Sequence, residues 1–181
     1  MSMFYTGVGS RNTPEAIQLI QQQLAMHLEG RGYVLRSGGA KGSDNAFEKG
    51  VTVPEYKEIF VPWSGFNGYT GGPGVIDMTG LENRGEAASI AETIHPAWDR
   101  LSRGARALHT RNVYQVLGLD LKTPSRFLLC WAEYQGNNRN VVKGGTNTAV
   151  QLALRNGVPV LNMYGAPNYD AVIEKLAPYL D

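Results

Sequence analysis

Three short stretches of the chain set glycines beside hydroxyl and cationic side chains: Gly7-Val8-Gly9-Ser10-Arg11, Ser37-Gly38-Gly39-Ala40-Lys41-Gly42-Ser43-Asp44 and Lys143-Gly144-Gly145-Thr146-Asn147-Thr148. Glycine costs conformational entropy inside regular structure and is useful where backbone must approach another group closely. Each stretch follows an apolar run and leads into a run with helical spacing. Backbone N–H groups in such a turn, at the positive end of a helix, cradle an anion. Ser10, Ser43, Thr146 and Thr148 add hydroxyl donors, and Arg11 and Lys143 add cations able to pair with phosphate. Any single stretch reads more readily as an ordinary tight turn. Three together point to one site for a phosphorylated ligand. The first lacks the final glycine of the dinucleotide fingerprint, and none is a Walker loop.

Other residues have chemistry to offer. Asp44 closes the second turn and suits either a helix cap or a ribose hydroxyl. Arg100, Arg103, Arg106, His109 and Arg111 form a basic stretch in which Asp99 is the nearby acid. Such a run is a solvated helix face or a phosphate-facing patch beside the turns. His27 has no partner in the sequence and His95 precedes Pro96; both read as structural, with a catalytic role the alternative for His95. Trp63, Phe66 and Tyr69 border a glycine-rich stretch. Aromatic rings there can stack on a base, although Trp63 also reads as core at a strand end. Cys130, the single cysteine, sits inside the apolar run FLLCWA and reads as core. No cluster has metal-ligand spacing, so no metal is expected, and no cofactor is assigned.

The elements that must position these turns follow from periodicity. MFYT, YVLRS, KEIFVPW, RFLLCWAEY and VPVLNMY are strand candidates. Ile17, Ile20, Leu24 and Leu28 recur at helical spacing behind Thr13, read as a cap, and Pro14, at the first helical position. SDNAFEKGV reads as a short helix capped by Ser43 or Asp44. Residues 64–85 have no period and read as a glycine-rich loop or insertion. EAASIAETIH, the stretch from Pro96 to Gly118, TNTAVQLALRNG and NYDAVIEKLAPYL are helical in pattern, the last starting near Asn168 or Asp170. The alternation predicts an α/β protein: a three-layer Rossmann-like open sheet, mainly parallel, with helices on both faces. Ligands of such sheets bind beyond the carboxyl ends of the strands. All three turns are therefore expected at one edge.

The chain has 181 residues, 43% of them hydrophobic, enough for one domain spanning 1–181. Lys and Arg number 17 and Asp and Glu 16, a net charge of +1, which is not that of a general nucleic-acid coat. MSMFYTGVGS has no charged start followed by a long apolar run, and no run reaches membrane-spanning length. A cytoplasmic protein with no membrane partner, and a homo-oligomer, is expected.

The stretches GSR (9–11), SGGAKGSD (37–44), HTRNVYQVLG (109–118) and GGTNTAVQLALRNGVPVLN (144–162) resemble those of the SLOG superfamily of Rossmann-like proteins. The nearest group is the DprA/Smf-like one (DNA-processing protein A). The resemblance spans most of the chain and leaves out 65–95. It implies a modified Rossmann fold whose glycine turns bind nucleotides, nucleotide-derived signals or nucleic-acid phosphates. It implies Gly9, Ser10, Arg11, Gly38, Gly39, Asp44, Arg111, Asn112, Gly144, Gly145 and Thr148 as site candidates; Gly7, Ala40, Gly42 and Thr146 join them from the turns themselves. The enzymatic LOG branch carries a proline and a glutamate where this chain has Lys143 and Gln151. An amide cannot do the work of that carboxylate, which weighs against turnover. Three functions stay open: a sensor or sequestering module for a nucleotide or nucleotide-derived ligand, a single-stranded DNA binder in recombination, and an N-glycosidase using Glu82, Glu86 or Glu92 instead.

Overall fold

The computed structural model describes residues 2–180. In chain order the elements are β1 (Phe4–Gly9), α1 (Glu15–Gly30), β2 (Val34–Ser37), α2 (Ser43–Lys49), β3 (Lys57–Val61), β4 (Val75–Asp77), α3 (Arg84–Ile94), α4 (Arg103–Leu117), β5 (Leu128–Trp131), β6 (Tyr134–Gln135), β7 (Asn138–Val142), α5 (Thr146–Arg155), β8 (Val160–Asn162) and α6 (Tyr169–Leu176). Six strands form one sheet in the order β4-β3-β2-β1-β5-β8, and every pairing is parallel. β6 and β7 pair antiparallel as a separate hairpin.

Alternation along the strands sorts side chains to two faces. Tyr5, Ile59, Val61, Phe127, Leu129 and Trp131 pack on one face with Ile17, Ile20, Leu24 and Leu28 of α1, Phe47 of α2, and Val172 and Leu176 of α6. Val8, Phe60, Leu128 and Cys130 pack on the other with α3, α4 and α5. The layers are therefore helix, sheet, helix. β1 continues through α1 to β2 on one side, and its other neighbour β5 is reached only after α3 and α4. The strand order thus reverses between β1 and β5, where open α/β sheets form a crevice.

The structure revises several local expectations. Thr13 does not cap α1: its hydroxyl donates to the Ser10 carbonyl (2.6 Å) and meets the Ser43 hydroxyl (2.7 Å), and Pro14 precedes the first helical residue. α2 begins after Gly42 with no side-chain cap, so neither Ser43 nor Asp44 serves as one. The 64–85 stretch contains β4, which extends the sheet beyond β3, and Met78, which is buried. Its lack of period reflects three strand residues set among short 3-10 turns. α4 starts only at Arg103, where the Ser102 side chain accepts from the Ala105 N–H. Cys130 is fully buried, which pushes its thiol up to about 12 and makes it a core residue.

Candidate functional site

A cavity of about 400 Å³ lies at the carboxyl end of β1, beside the turn after β2. The turn after β1 contributes Gly9, Ser10 and Arg11; the turn after β2 contributes Ala40 and Asp44; the turn before α5 contributes Gly144, Gly145 and Thr146. Arg111 and Asn112 of α4 complete the set of sequence candidates that line it. Three turns far apart in sequence therefore share one recess. The third does not leave a strand of the main sheet, as its pattern suggested, but the second strand of the β6–β7 hairpin.

What comes close to the glycines differs between turns. A Cβ on Gly7 would strike Leu35 and Phe47 (2.8 Å each), so Gly7 lets α2 pack on the sheet and does not line the cavity. A Cβ on Gly38 would collide with Gln115 and Arg111, and one on Gly39 with the Tyr69 ring (2.7 Å). On Gly42, with φ +82, it would meet the backbone of Ser10 and Arg11. These glycines yield to the protein's own groups, and the 64–85 segment covers the second turn. There the Asn67 amide donates to the Gly39 carbonyl (3.1 Å), and the Tyr69 hydroxyl donates to Glu48. Phe66 is buried beneath the Arg111 guanidinium, 5.5 Å from ring centroid to Cζ.

The third turn is open. No atom lies within 4 Å of a Cβ built on Gly144 or Gly145. Among the described residues the N–H groups of Gly144, Gly145 and Thr146 donate to nothing, and α5 has no side-chain cap. Unsatisfied donors at a helix start carry partial positive charge. The Gly145 carbonyl is tied back by the Asn112 amide (3.0 Å), which fixes the turn to α4.

Arg111 and Asp44 form the charged floor. Arg111 is 6% exposed; it donates to the Gly38 carbonyl and to Asn112 Oδ1 (3.0 Å). Burial lowers its pKa, and the charge of Asp44 opposes that shift. Asp44 is 4% exposed and accepts from the Ala40 N–H (3.3 Å). Burial raises its carboxyl to about 6 against the pull of Arg111 and of the Ala40, Gly38 and Gly9 N–H groups. Its role is thus to staple the first two turns. Gln115, its amide oriented so that the oxygen accepts from the Gly38 N–H (3.1 Å), holds the same turn from α4.

At the rim, Ser10 Oγ accepts from the Asn12 N–H (3.0 Å), leaving its own proton free to donate. Arg11 is exposed, and Lys143 is exposed and paired with Glu133 (2.7 Å). Ser43, by contrast, is fully buried and bonded to Thr13 and Gln21 (2.8 Å), and it does not reach the cavity. Thr148 is buried as well, its hydroxyl 2.7 Å from His109 Nδ1. Burial, with the nearby His95 and Arg111, lowers His109 to about 4, so a neutral imidazole lines the cavity near neutral pH. Three cations and one carboxylate surround the recess, a balance that favours an anion.

Ala105, Leu108, His109, Asn112 and Gln115 line one wall. Their spacing is that of one helix face, a pattern that would have found Ala105, Leu108 and Gln115, none of them a sequence candidate. Arg103 and Arg106 lie on the other side of α4, and Arg100 lies outside the cavity. Glu82, Glu86 and Glu92 are exposed and line no part of it. Gln151 donates to the Asn140 carbonyl (2.6 Å) and to Asn147 Oδ1 (3.1 Å), clamping the hairpin to α5. Among the described residues no three of His, Cys, Asp and Glu gather to hold a metal, and no helix is long and apolar enough to cross a membrane.

No family model and no curated protein matches the chain. Among solved structures, one that is similar is that of DNA processing protein A from Helicobacter pylori, described for its single-stranded DNA binding mode. It is 18% identical, with 98% of this chain and 81% of that one covered, at a TM-score of 0.44.

Proposed function

We propose that the protein binds a small phosphorylated ligand, a nucleotide or nucleotide derivative, with its phosphate at the third turn. The observation that carries this reading is the open N-terminus of α5. The N–H groups of Gly144, Gly145 and Thr146, unpartnered among the described residues, lie in a cavity rimmed by Arg11 and Lys143. The first two turns serve as a rigid wall, which lowers the ordering cost of binding. Calorimetry with a nucleoside 5′-monophosphate and its nucleoside tests this. Hydrogen bonds to a charged group contribute about 1.5–3 kcal/mol each, so losing the phosphate is expected to weaken binding by about 100-fold or more. A nucleoside binding as tightly as its monophosphate would overturn the reading.

A second reading has its own observation. Behind α4, a groove of about 680 Å³ is lined by Trp63, Trp98, Arg84, Arg103 and Arg106 among others, with no carboxylate. Arg103 and Arg106 sit in the first turns of α4, where the helix dipole disfavours cations and no acid offsets them. Indoles and arginines in one groove suit single-stranded nucleic acid. Binding of a labelled oligonucleotide, followed by fluorescence anisotropy, is then expected to weaken steeply with salt. Arg103→Ala with Arg106→Ala should lower the slope of log affinity against log salt by about one for each lost phosphate contact. An unchanged slope, or no binding at low salt, would rule this reading out.

A further inference from the structure

Beyond the third turn the hairpin opens onto a second recess. It has a volume of about 270 Å³ and is lined by Glu133, Tyr134, Asn137, Arg139, Lys143 and Tyr164. Lys143 lines both recesses, so the two adjoin. Three aromatic rings mark this end of the sheet. Tyr164 stands 5.7 Å from Trp131, tilted by 51°, and 5.7 Å from Tyr134, edge to face at 81°. Trp131 ends β5 and its carbonyl accepts from the Ser10 N–H (2.9 Å), which joins the aromatic group to the first turn. Arg139 lies over the Tyr134 ring at 4.6 Å.

Tyr164 is 44% exposed, and its hydroxyl has no partner among the described residues. It follows β8 at the edge where ligands of such sheets bind. We infer that this recess is the base subsite of the ligand: the nucleobase of a 5′-nucleotide stacks on Tyr164 while its phosphate sits at the third turn. The inference rests on the phosphate reading above. A flat heterocycle fits an exposed ring flanked by Asn137, whose amide can donate to and accept from a base edge. The cationic Arg139 matches the electron-rich face of a base, and Lys143, held by Glu133 (2.7 Å), lines both recesses. Stacking is tolerant of sequence, so the side chains around the ring, not the ring, select the base.

The test compares ribose 5-phosphate with the 5′-monophosphates of adenosine, guanosine, cytidine and uridine by calorimetry, on the wild-type protein, Tyr164→Ala and Tyr164→Phe. The tightest monophosphate is expected to bind the wild type roughly ten-fold or more better than ribose 5-phosphate, the usual gain from one stacked base. Tyr164→Ala should erase that gain and leave ribose 5-phosphate unchanged, and Tyr164→Phe should keep it. Ribose 5-phosphate binding as well as every monophosphate would overturn the base subsite alone. So would equal weakening of both ligand types by Tyr164→Ala, which would make Tyr164 a prop for the hairpin. Failure of every ligand to bind would overturn the phosphate reading, and this inference with it.

Discussion

Gly145→Asp is expected to abolish binding of a phosphorylated ligand, by about 100-fold or more, while leaving the fold as stable as before or slightly more so. Gly145 has φ −64 and ψ −23, a conformation open to any L-residue, and a Cβ there meets nothing within 4 Å. It precedes α5, which has no side-chain cap, and a carboxylate at that end of a helix is favourable by about 0.3–1 kcal/mol. The same carboxylate would stand among the N–H groups proposed for the phosphate and would repel it. Gly145→Ala is the control: without the charge, affinity should fall only several-fold. Gly144 differs, because its φ of +77 strains any side chain. Calorimetry and thermal melting on the same samples separate the effects. Full affinity in Gly145→Asp would move the phosphate away from this turn, and unfolding of the variant would contradict the geometry of Gly145.

The second large effect concerns the two buried charges beneath the site, Arg111 and Asp44, which act on each other through their field. Arg111→Met removes the donor to the Gly38 carbonyl and to Asn112, and it leaves Asp44 without its cation. Leaving a buried acceptor without its donor costs about 1–3 kcal/mol, the lost charge beside Asp44 adds to it, and the second turn should loosen enough to lose the ligand as well. The pH dependence identifies the cause. The Asp44 carboxyl titrates at about 6 in the fold against 3.8 unfolded, so the folded state prefers it protonated. Its contribution is fully present below about pH 4 and is lost as pH rises through 6, a difference of at most about 3 kcal/mol. In Arg111→Met the loss should grow with pH. Adding Asp44→Asn should therefore recover at least half of the Arg111→Met deficit at pH 7.5 and almost none at pH 4, without restoring binding. Denaturant unfolding of the four proteins at both pH values gives the result. Additive effects at pH 7.5 would mean that the two residues do not share their charge.

The parallel order of the sheet was legible because buried strands such as Leu128–Trp131 read as unbroken apolar runs and the helices carry a clear face. The convergence of the first two turns was legible from that order; the third arrives at the same recess from the β6–β7 hairpin, outside the strand order that predicted it. The occupants of the glycine space were not. Gly38 and Gly144 look alike in sequence, yet one is filled by Arg111 and Gln115 and the other faces open space. That difference is set by contacts to α4 across many residues of chain, which no local pattern encodes. β4 escaped notice because three residues at the edge of the sheet are too few to show a period. The β6–β7 hairpin escaped because Asn138, Arg139 and Asn140 are exposed and carry no apolar alternation. Tyr164 was hidden for the opposite reason: a tyrosine closing an apolar strand run gives no sign of being exposed.

The bond from Arg111 to the Gly38 carbonyl spans 73 positions of the chain. Closing so long a loop costs entropy that is recovered only when α4 docks against the second turn. A chain in which β1, α1, β2 and α2 have condensed alone therefore has the glycines but not the recess, since the wall and floor from α4 and the Gly144 turn are still absent. On the proposed reading, a ligand that needs all three turns would therefore act as a latch on the finished fold, slowing its opening rather than hastening its assembly.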